Sequence, residues 1–199
     1  MAYSDFNLSS VLKTFKLSYS ETADLFANEQ ELESSPSLAE NLRRYLPIAV
    51  GSNTEKSRSE MIIAPVLLEL RAQLQDQIGL FSGIDFTVNP EIGLNGMCDF
   101  LITRSPELLI VKCPVIAIVE AKKENISSGL GQCVAEMLAA QIFNQLEGKE
   151  IKVILGTVTT GTVWKFLKLE GTAVEIDTSE YFLSNINKIL GILASAMRN

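Results

Sequence analysis

Glu120 and Lys122 close the apolar run Pro114-Val-Ile-Ala-Ile-Val-Glu120-Ala-Lys122, so a strand otherwise free of charge ends in a carboxylate and an ammonium. Another carboxylate, Asp99, lies inside Met97-Cys-Asp-Phe-Leu-Ile102, a second strand with the look of a buried one. Side chains alternate across a strand, so Glu120 and Lys122 are expected to share a face with Ile116 and Ile118, with Val115, Ala117 and Val119 on the other. Charges at the mouth of a strand buried on both faces are costly unless a metal, a counter-charge or an anionic ligand meets them.

The reaction these residue types suit is hydrolysis of a phosphodiester. It needs a nucleophilic water, neutralisation of charge on the phosphate, and help for the leaving oxygen. Two carboxylates such as Asp99 and Glu120 can hold Mg²⁺ or Mn²⁺, which supplies Lewis acidity. Lys122 can orient or help deprotonate the attacking water and stabilise the phosphate charge. Glu60, on an earlier helix, can add a ligand directly or through water, and Gln132, on a later one, can position Lys122 or a phosphate. Glu-x-Lys by itself says little, because Glu147-Gly-Lys149 and Glu150-Ile-Lys152 share the spacing. What distinguishes Glu120 and Lys122 is context: an acidic strand upstream and an alanine-rich helix downstream.

The chain has no histidine. That excludes Ser-His-Asp and Cys-His arrangements, a histidine general base, an HNH-type site and histidine zinc ligands. A formal net charge of −7 disfavours nonspecific affinity for nucleic acid, so a DNA-binding face has to be locally basic or metal-assisted. With 199 residues, 47% hydrophobic and 21% charged, the chain fits one globular unit with a sizeable core. Its three cysteines, Cys98, Cys113 and Cys133, each sit in apolar sequence and read as reduced core residues of a cytoplasmic protein. No apolar run approaches the roughly 18 residues of a membrane span, and no signal-peptide core is present, so no membrane partner is expected.

Several elements must bring these residues together. Residues 1–50 are expected to be a helical extension packed on the core, with an exposed acidic connector at Glu29–Pro36. Residues 51–199 then form the main unit, after a polar connector at 51–57. A helix is predicted over 57–78, with Ile63, Leu67, Leu70 and Leu74 at helical spacing, Glu60 pointing coreward and Glu69 facing solvent. Pro65 either kinks it or marks a later start. Strands follow at 84–92, 94–104 and 114–122, with Asn95-Gly96 as a turn or bulge. A helix over 129–146, strands at 152–159 and 162–169 around Thr160-Gly161, and a closing helix over 179–197 complete the reading.

On the Asp99, Glu120 and Lys122 pattern the chain resembles the PD-(D/E)XK, or restriction-endonuclease-like, nuclease superfamily. Ser59-Glu-Met-Ile-Ile-Ala-Pro-Val-Leu-Leu-Glu-Leu70 and the Thr160-Gly161 hairpin leading to Trp164 are similar to the nuclease domains of type I restriction subunits. The resemblance implies an α/β fold with an αβββαβ core over about 57–169, a mixed central sheet flanked by helices, and Mg²⁺-dependent cleavage of DNA. It puts Asp99, Glu120 and Glu60 at the metal, and Lys122 and Gln132 beside the reacting water and phosphate. Cys98 stands where the family often has proline, and Pro90-Glu91 offers a rival acidic position near a turn. Two other readings stand beside this one: a catalytically silent nuclease-fold module for binding or assembly, as a homodimer or with a partner subunit, and an enzyme acting on a small phosphorylated substrate. Trp164 and Phe166 suit either base stacking or core packing, and Arg43-Arg44, Lys122-Lys123, Lys165 and Lys168 suit either phosphate contacts or solvated charge.

Overall fold

The run ending at Glu120 forms β4 (Val115–Ala121), buried along its whole length in the middle of a mixed sheet. The fold comes from a computed structural model, which describes residues 1–198. Upstream of β4 lie a 3₁₀ turn (Tyr3–Asp5), α1 (Leu8–Phe15), β1 (Ser18–Thr22), α2 (Pro36–Ser52), α3 (Glu55–Arg58), a π-helical turn (Ser59–Ile63), α4 (Ala64–Gln73), β2 (Gly79–Asp85) and β3 (Met97–Thr103). Downstream come α5 (Ile126–Leu146), β5 (Ile154–Thr159), β6 (Val163–Glu170), β7 (Ala173–Asp177), β8 (Tyr181–Phe182) and α6 (Ile186–Ser195). The strand order is β1-β7-β6-β5-β4-β3-β2, with β8 added to β6. β2, β3 and β4 pair antiparallel, and the long crossover through α5 lets β5 lie parallel to β4.

Helices cover both faces of this eight-stranded sheet, which is why β4 reads as a nearly continuous apolar run. On one face, Leu38 and Leu42 of α2, Val66, Leu67 and Leu70 of α4, and Leu190 and Leu193 of α6 pack with Phe100, Val119, Trp164 and Phe166. On the other, Cys133, Val134 and Met137 of α5 pack with Leu101, Ile118 and Val158, and the N-terminal Tyr3, Phe6 and Val11 join the same cluster. α5 is thus enclosed between the sheet and the N-terminal segment. Gly131 permits this crossing, because a Cβ there would run into the backbone of Phe6 and Asn7. At the far end of α5, the buried Asn144 accepts from the Val115 amide at 2.7 Å and donates to the Val115 carbonyl at 2.8 Å, fastening the helix to the start of β4.

Several expectations are corrected. The first 50 residues are not all helical: β1 pairs parallel with β7 and completes one edge of the sheet. Its residues Ser18-Tyr-Ser-Glu-Thr22 are exposed on both faces, so no apolar alternation marks it. The polar connector at 51–57 is instead the end of α2, an Asn53 in the left-handed region, and α3, whose cap Thr54 accepts from Ser57. The strand expected at 84–92 is β2, which starts at Gly79 and ends at Asp85. Pro90–Ile92 form a 3₁₀ turn, and Asn95-Gly96 belong to the longer connection rather than to a tight hairpin. The closing helix begins only at Ile186, and 173–182 supply β7 and β8.

Alternation along β4 also departs from the expectation. A bulge shifts the pairing between Ile102–Ala117 and Thr103–Val115, leaving Ile116 as the extra residue. Val115 and Ile118 therefore pack in the α5-side cluster, while Ile116 joins Ala117, Val119 and Ala121 on the opposite face.

Trp164 and Phe166 are fully buried, with ring centroids 6.4 Å apart and the indole N–H donating to the Gly161 carbonyl at 2.9 Å. They are core and not a base-stacking platform, and truncating either to Ala would cost about 3–5 kcal/mol. Cys98 and Cys133 are buried and Cys113 is half-buried, all three as free thiols. No helix among the described residues is long and apolar enough to cross a membrane.

Candidate active site

β3 and β4 pair as far as Phe100–Val119 and then part. Immediately beyond, the Ala121 N–H donates to Asp99 Oδ2 at 2.8 Å, so a side-chain carboxylate takes a donor that the ladder no longer uses. Facial alternation breaks at the same point, since Cys98 packs on the α5 side and Phe100 on the other. Gly83 of β2, at φ +59, lies between the pairs Ser82–Phe100 and Ile84–Cys98, opposite Asp99. No atom lies within 4 Å of where its Cβ would stand, so the backbone there is open to an approaching group. Asp99 and Ala121 line a cavity of about 250 Å³ together with Glu55, Lys56, Ser59, Glu60, Ser82 and Gly83.

Glu120, between Val119 and the cavity-lining Ala121, is not among the lining residues. Its side chain is 1% exposed, and Oε1 accepts from Lys122 Nζ, while Oε2 has no hydrogen-bond partner among the described residues. Burial, and then the charge of Asp99, push its pKa up to about 8 against the opposing pull of Lys122. The Lys122 ammonium is itself partly buried, which works against its charge, but the Glu120 carboxylate prevails and holds its pKa above the ordinary lysine value. Room for the Lys122 stem comes from Gly129 on α5, where a Cβ would lie 3.0 Å from Lys122 Cε and 2.7 Å from Val158 Cγ1.

Gln132 completes the surroundings of Lys122, its Oε1 lying 3.4 Å from Nζ. One turn further along α5, Glu136 accepts from Gln132 Nε2 at 3.0 Å. Glu136 is fully buried, and burial together with the Glu120 charge pushes its pKa well above the carboxylate range. Sequence reasoning passed over this residue. The available signal was an acid inside the apolar stretch Cys133-Val-Ala-Glu136-Met-Leu-Ala-Ala140.

Glu60 does not point coreward. It is exposed and sits 3.6 Å from Lys56 Nζ, on the rim of the cavity that Asp99 lines. The physical reason is the π-helical turn that contains it: the Ala64 N–H bonds to the Ser59 carbonyl five residues back. That turn directly precedes Pro65, which has no N–H to give the ladder, and it shifts the helix faces on either side. Glu69 is likewise not solvated but half-buried, accepting from the N–H and Oγ of Ser35, both at 2.8 Å. Arg58 donates to the Thr160 carbonyl at 3.0 Å and so ties the start of this helix to the β5–β6 turn.

The site therefore joins Asp99, Glu120, Lys122 and Gln132, adds Glu136 from below, and leaves Glu60 and Glu55 on its rim. The rival Glu91 is exposed in its 3₁₀ turn. Arg43 and Arg44 are exposed and paired with Glu40, and Lys168 lies 4.6 Å over the Phe26 ring. No group of three or more His, Cys, Asp or Glu side chains among the described residues is arranged to hold a metal ion. Asp99 and Glu120 are the acidic pair the site brings together, and a hard divalent cation would relieve the effect of the Asp99 charge on Glu120 and meet its unpartnered Oε2. Comparisons with protein-family models, curated proteins and solved structures gave no match.

Proposed function

We propose that this chain is a metal-dependent nuclease of the PD-(D/E)XK kind, hydrolysing DNA phosphodiester bonds. The observation that carries the reading is Glu120: a carboxylate 1% exposed, with one oxygen on Lys122, the other unpartnered, and the charge of Asp99 beside it. The order helix, three antiparallel strands, crossover helix and parallel strand supports the same reading.

Asp99 and Glu120 would hold Mg²⁺ or Mn²⁺, with Glu60 reaching it through water from the rim. When bound, such an ion polarises a phosphate oxygen and makes a coordinated water more acidic. Lys122 keeps its proton, so its part is that of a fixed cation: it orients the attacking water and balances charge growing on the phosphate. Gln132 steadies that cation, and Asp99 is steadied by the Ala121 N–H. Calorimetric titration of Mg²⁺ and Mn²⁺ with an oligonucleotide duplex present tests the site. Binding in the wild type that is lost in both Asp99→Ala and Glu120→Ala is expected, and no binding in the wild type would sink it.

A second reading, a silent nuclease-fold module acting in binding or assembly, is favoured by the net charge of −7 and by Glu55 and Glu60 on the cavity rim. On that reading a homodimer or a basic partner subunit would grip the DNA, and the titration would show no metal uptake.

A further inference from the structure

Gln132 and Glu136 lie one helical turn apart on α5 and connect Lys122 with the protein interior. Gln132 Nε2 donates to Glu136 Oε1 at 3.0 Å, and Lys122 Nζ donates to Gln132 Oε1 at 3.4 Å. A side-chain amide has one donor end and one acceptor end, so the end taken by one neighbour decides which is left for the other. Glu136 takes the donor end and thereby turns the carbonyl toward the Lys122 ammonium. With the amide reversed, its NH₂ group would face another donor.

Glu136 has no exposed surface, and its Oε2 has no hydrogen-bond partner among the described residues. A buried carboxyl with an unmet oxygen destabilises the fold that holds it. Filling space does not require it, because a methionine beside Cys133, Val134 and Met137 would occupy similar volume with no unmet polar atom.

We propose that Glu136 is a positioning residue: it fixes the orientation of the Gln132 amide, which holds the Lys122 ammonium against Glu120. The consequence for catalysis rests on the nuclease reading above, while the positioning itself can be measured without it.

Two variants separate positioning from packing. Glu136→Met keeps the volume and removes the acceptor, and Glu136→Gln keeps an acceptor. The activity-independent readout is the Lys122 side-chain ¹³Cε signal by NMR, assigned by its loss in Lys122→Arg. In Glu136→Met this signal should shift or broaden, the melting temperature should stay at or above that of the wild type, and kcat should fall about tenfold or more with KM nearly unchanged. Glu136→Gln should restore the Lys122 signal and most of kcat. An unchanged Lys122 signal in Glu136→Met, or the same change in both variants, overturns the inference. Should Glu136→Met fail to fold, Glu136→Leu takes its place, with the same shift expected and the same overturning result. A wild type that cleaves nothing brings down the nuclease reading alone, and the Lys122 signal still decides this one.

Discussion

Asp99 Oδ2 accepts the backbone N–H of Ala121 at 2.8 Å just past the last β3–β4 pair, so the strand bearing Glu120 is held to a carboxylate where its ladder ends. The acid is therefore a structural acceptor as well as a candidate ligand, and the two roles separate by substitution. Asp99→Asn keeps an acceptor for Ala121, whereas Asp99→Ala leaves a backbone donor unmet at about 1–3 kcal/mol. Urea unfolding should rank the wild type and Asp99→Asn close together and Asp99→Ala clearly lower, while neither variant cleaves DNA. Equal stability of the two variants would count against the backbone role.

The buried carboxyls set a pH dependence. Burial pushes Glu120 up to about 8 in the fold from an ordinary value of 4.5, and burial raises Glu136 as well. Below the ordinary value both folded and unfolded chains hold the protons and nothing is lost. Between there and about 8 the unfolded chain has released its Glu120 proton and the fold has not, so stability falls, and it levels off with respect to Glu120 above that point. The loss attributable to Glu120 is on the order of a few kcal/mol. Melting temperatures of the metal-free protein should decline from about pH 5 to about pH 9, and Glu120→Gln should flatten the decline. A slope that survives unchanged in that variant would show that Glu120 is not its source.

Lys122 and Glu60 should differ in weight. Lys122 is the counter-charge of a buried carboxylate, whereas Glu60 is exposed on the rim. Lys122→Met should reduce cleavage by about 10²-fold or more, to below detection on plasmid, and Glu60→Gln by about tenfold at most. Single-turnover rates on a labelled duplex make the comparison, and a larger loss for Glu60→Gln would reverse the ranking.

Two glycines on α5 should fail in different ways. Gly131→Ala drives a methyl into the backbone of the N-terminal segment and should lower stability by about 1–3 kcal/mol. Gly129→Ala presses on the Lys122 stem and on Val158, and should lower cleavage more than stability. Chemical denaturation and cleavage rates on the same samples would show whether the two effects part in this way.

Much of this arrangement was legible because β4 is buried on both faces. A continuous apolar run with charge only at its end locates both a central strand and the carboxylate and cation it delivers. Asp99, Lys122 and Gln132 were likewise placed by their flanking sequence. Less could be read where tertiary contacts override local pattern. β1 is polar throughout, because an exposed edge strand has no buried face to record. The alternation of Val174 and Ile176 in β7 was readable, but it lies in a short segment beside Gly171. The bulge at Ile116 leaves no mark in an all-apolar run, whereas the π-helical turn has one in Pro65. Glu136 was hidden because an acid on a helix is ordinarily solvated, whereas α5 is enclosed here between the sheet and the N-terminal segment.

The most direct measurement of the central claim is cleavage of supercoiled plasmid by purified protein with Mg²⁺ or Mn²⁺, in parallel with Asp99→Asn, Glu120→Gln and Lys122→Met. The proposed site predicts nicked or linear DNA with the wild type, abolished by EDTA and in all three variants. Cleavage that persists in those variants, or a wild type that leaves the plasmid intact with either metal, would contradict it.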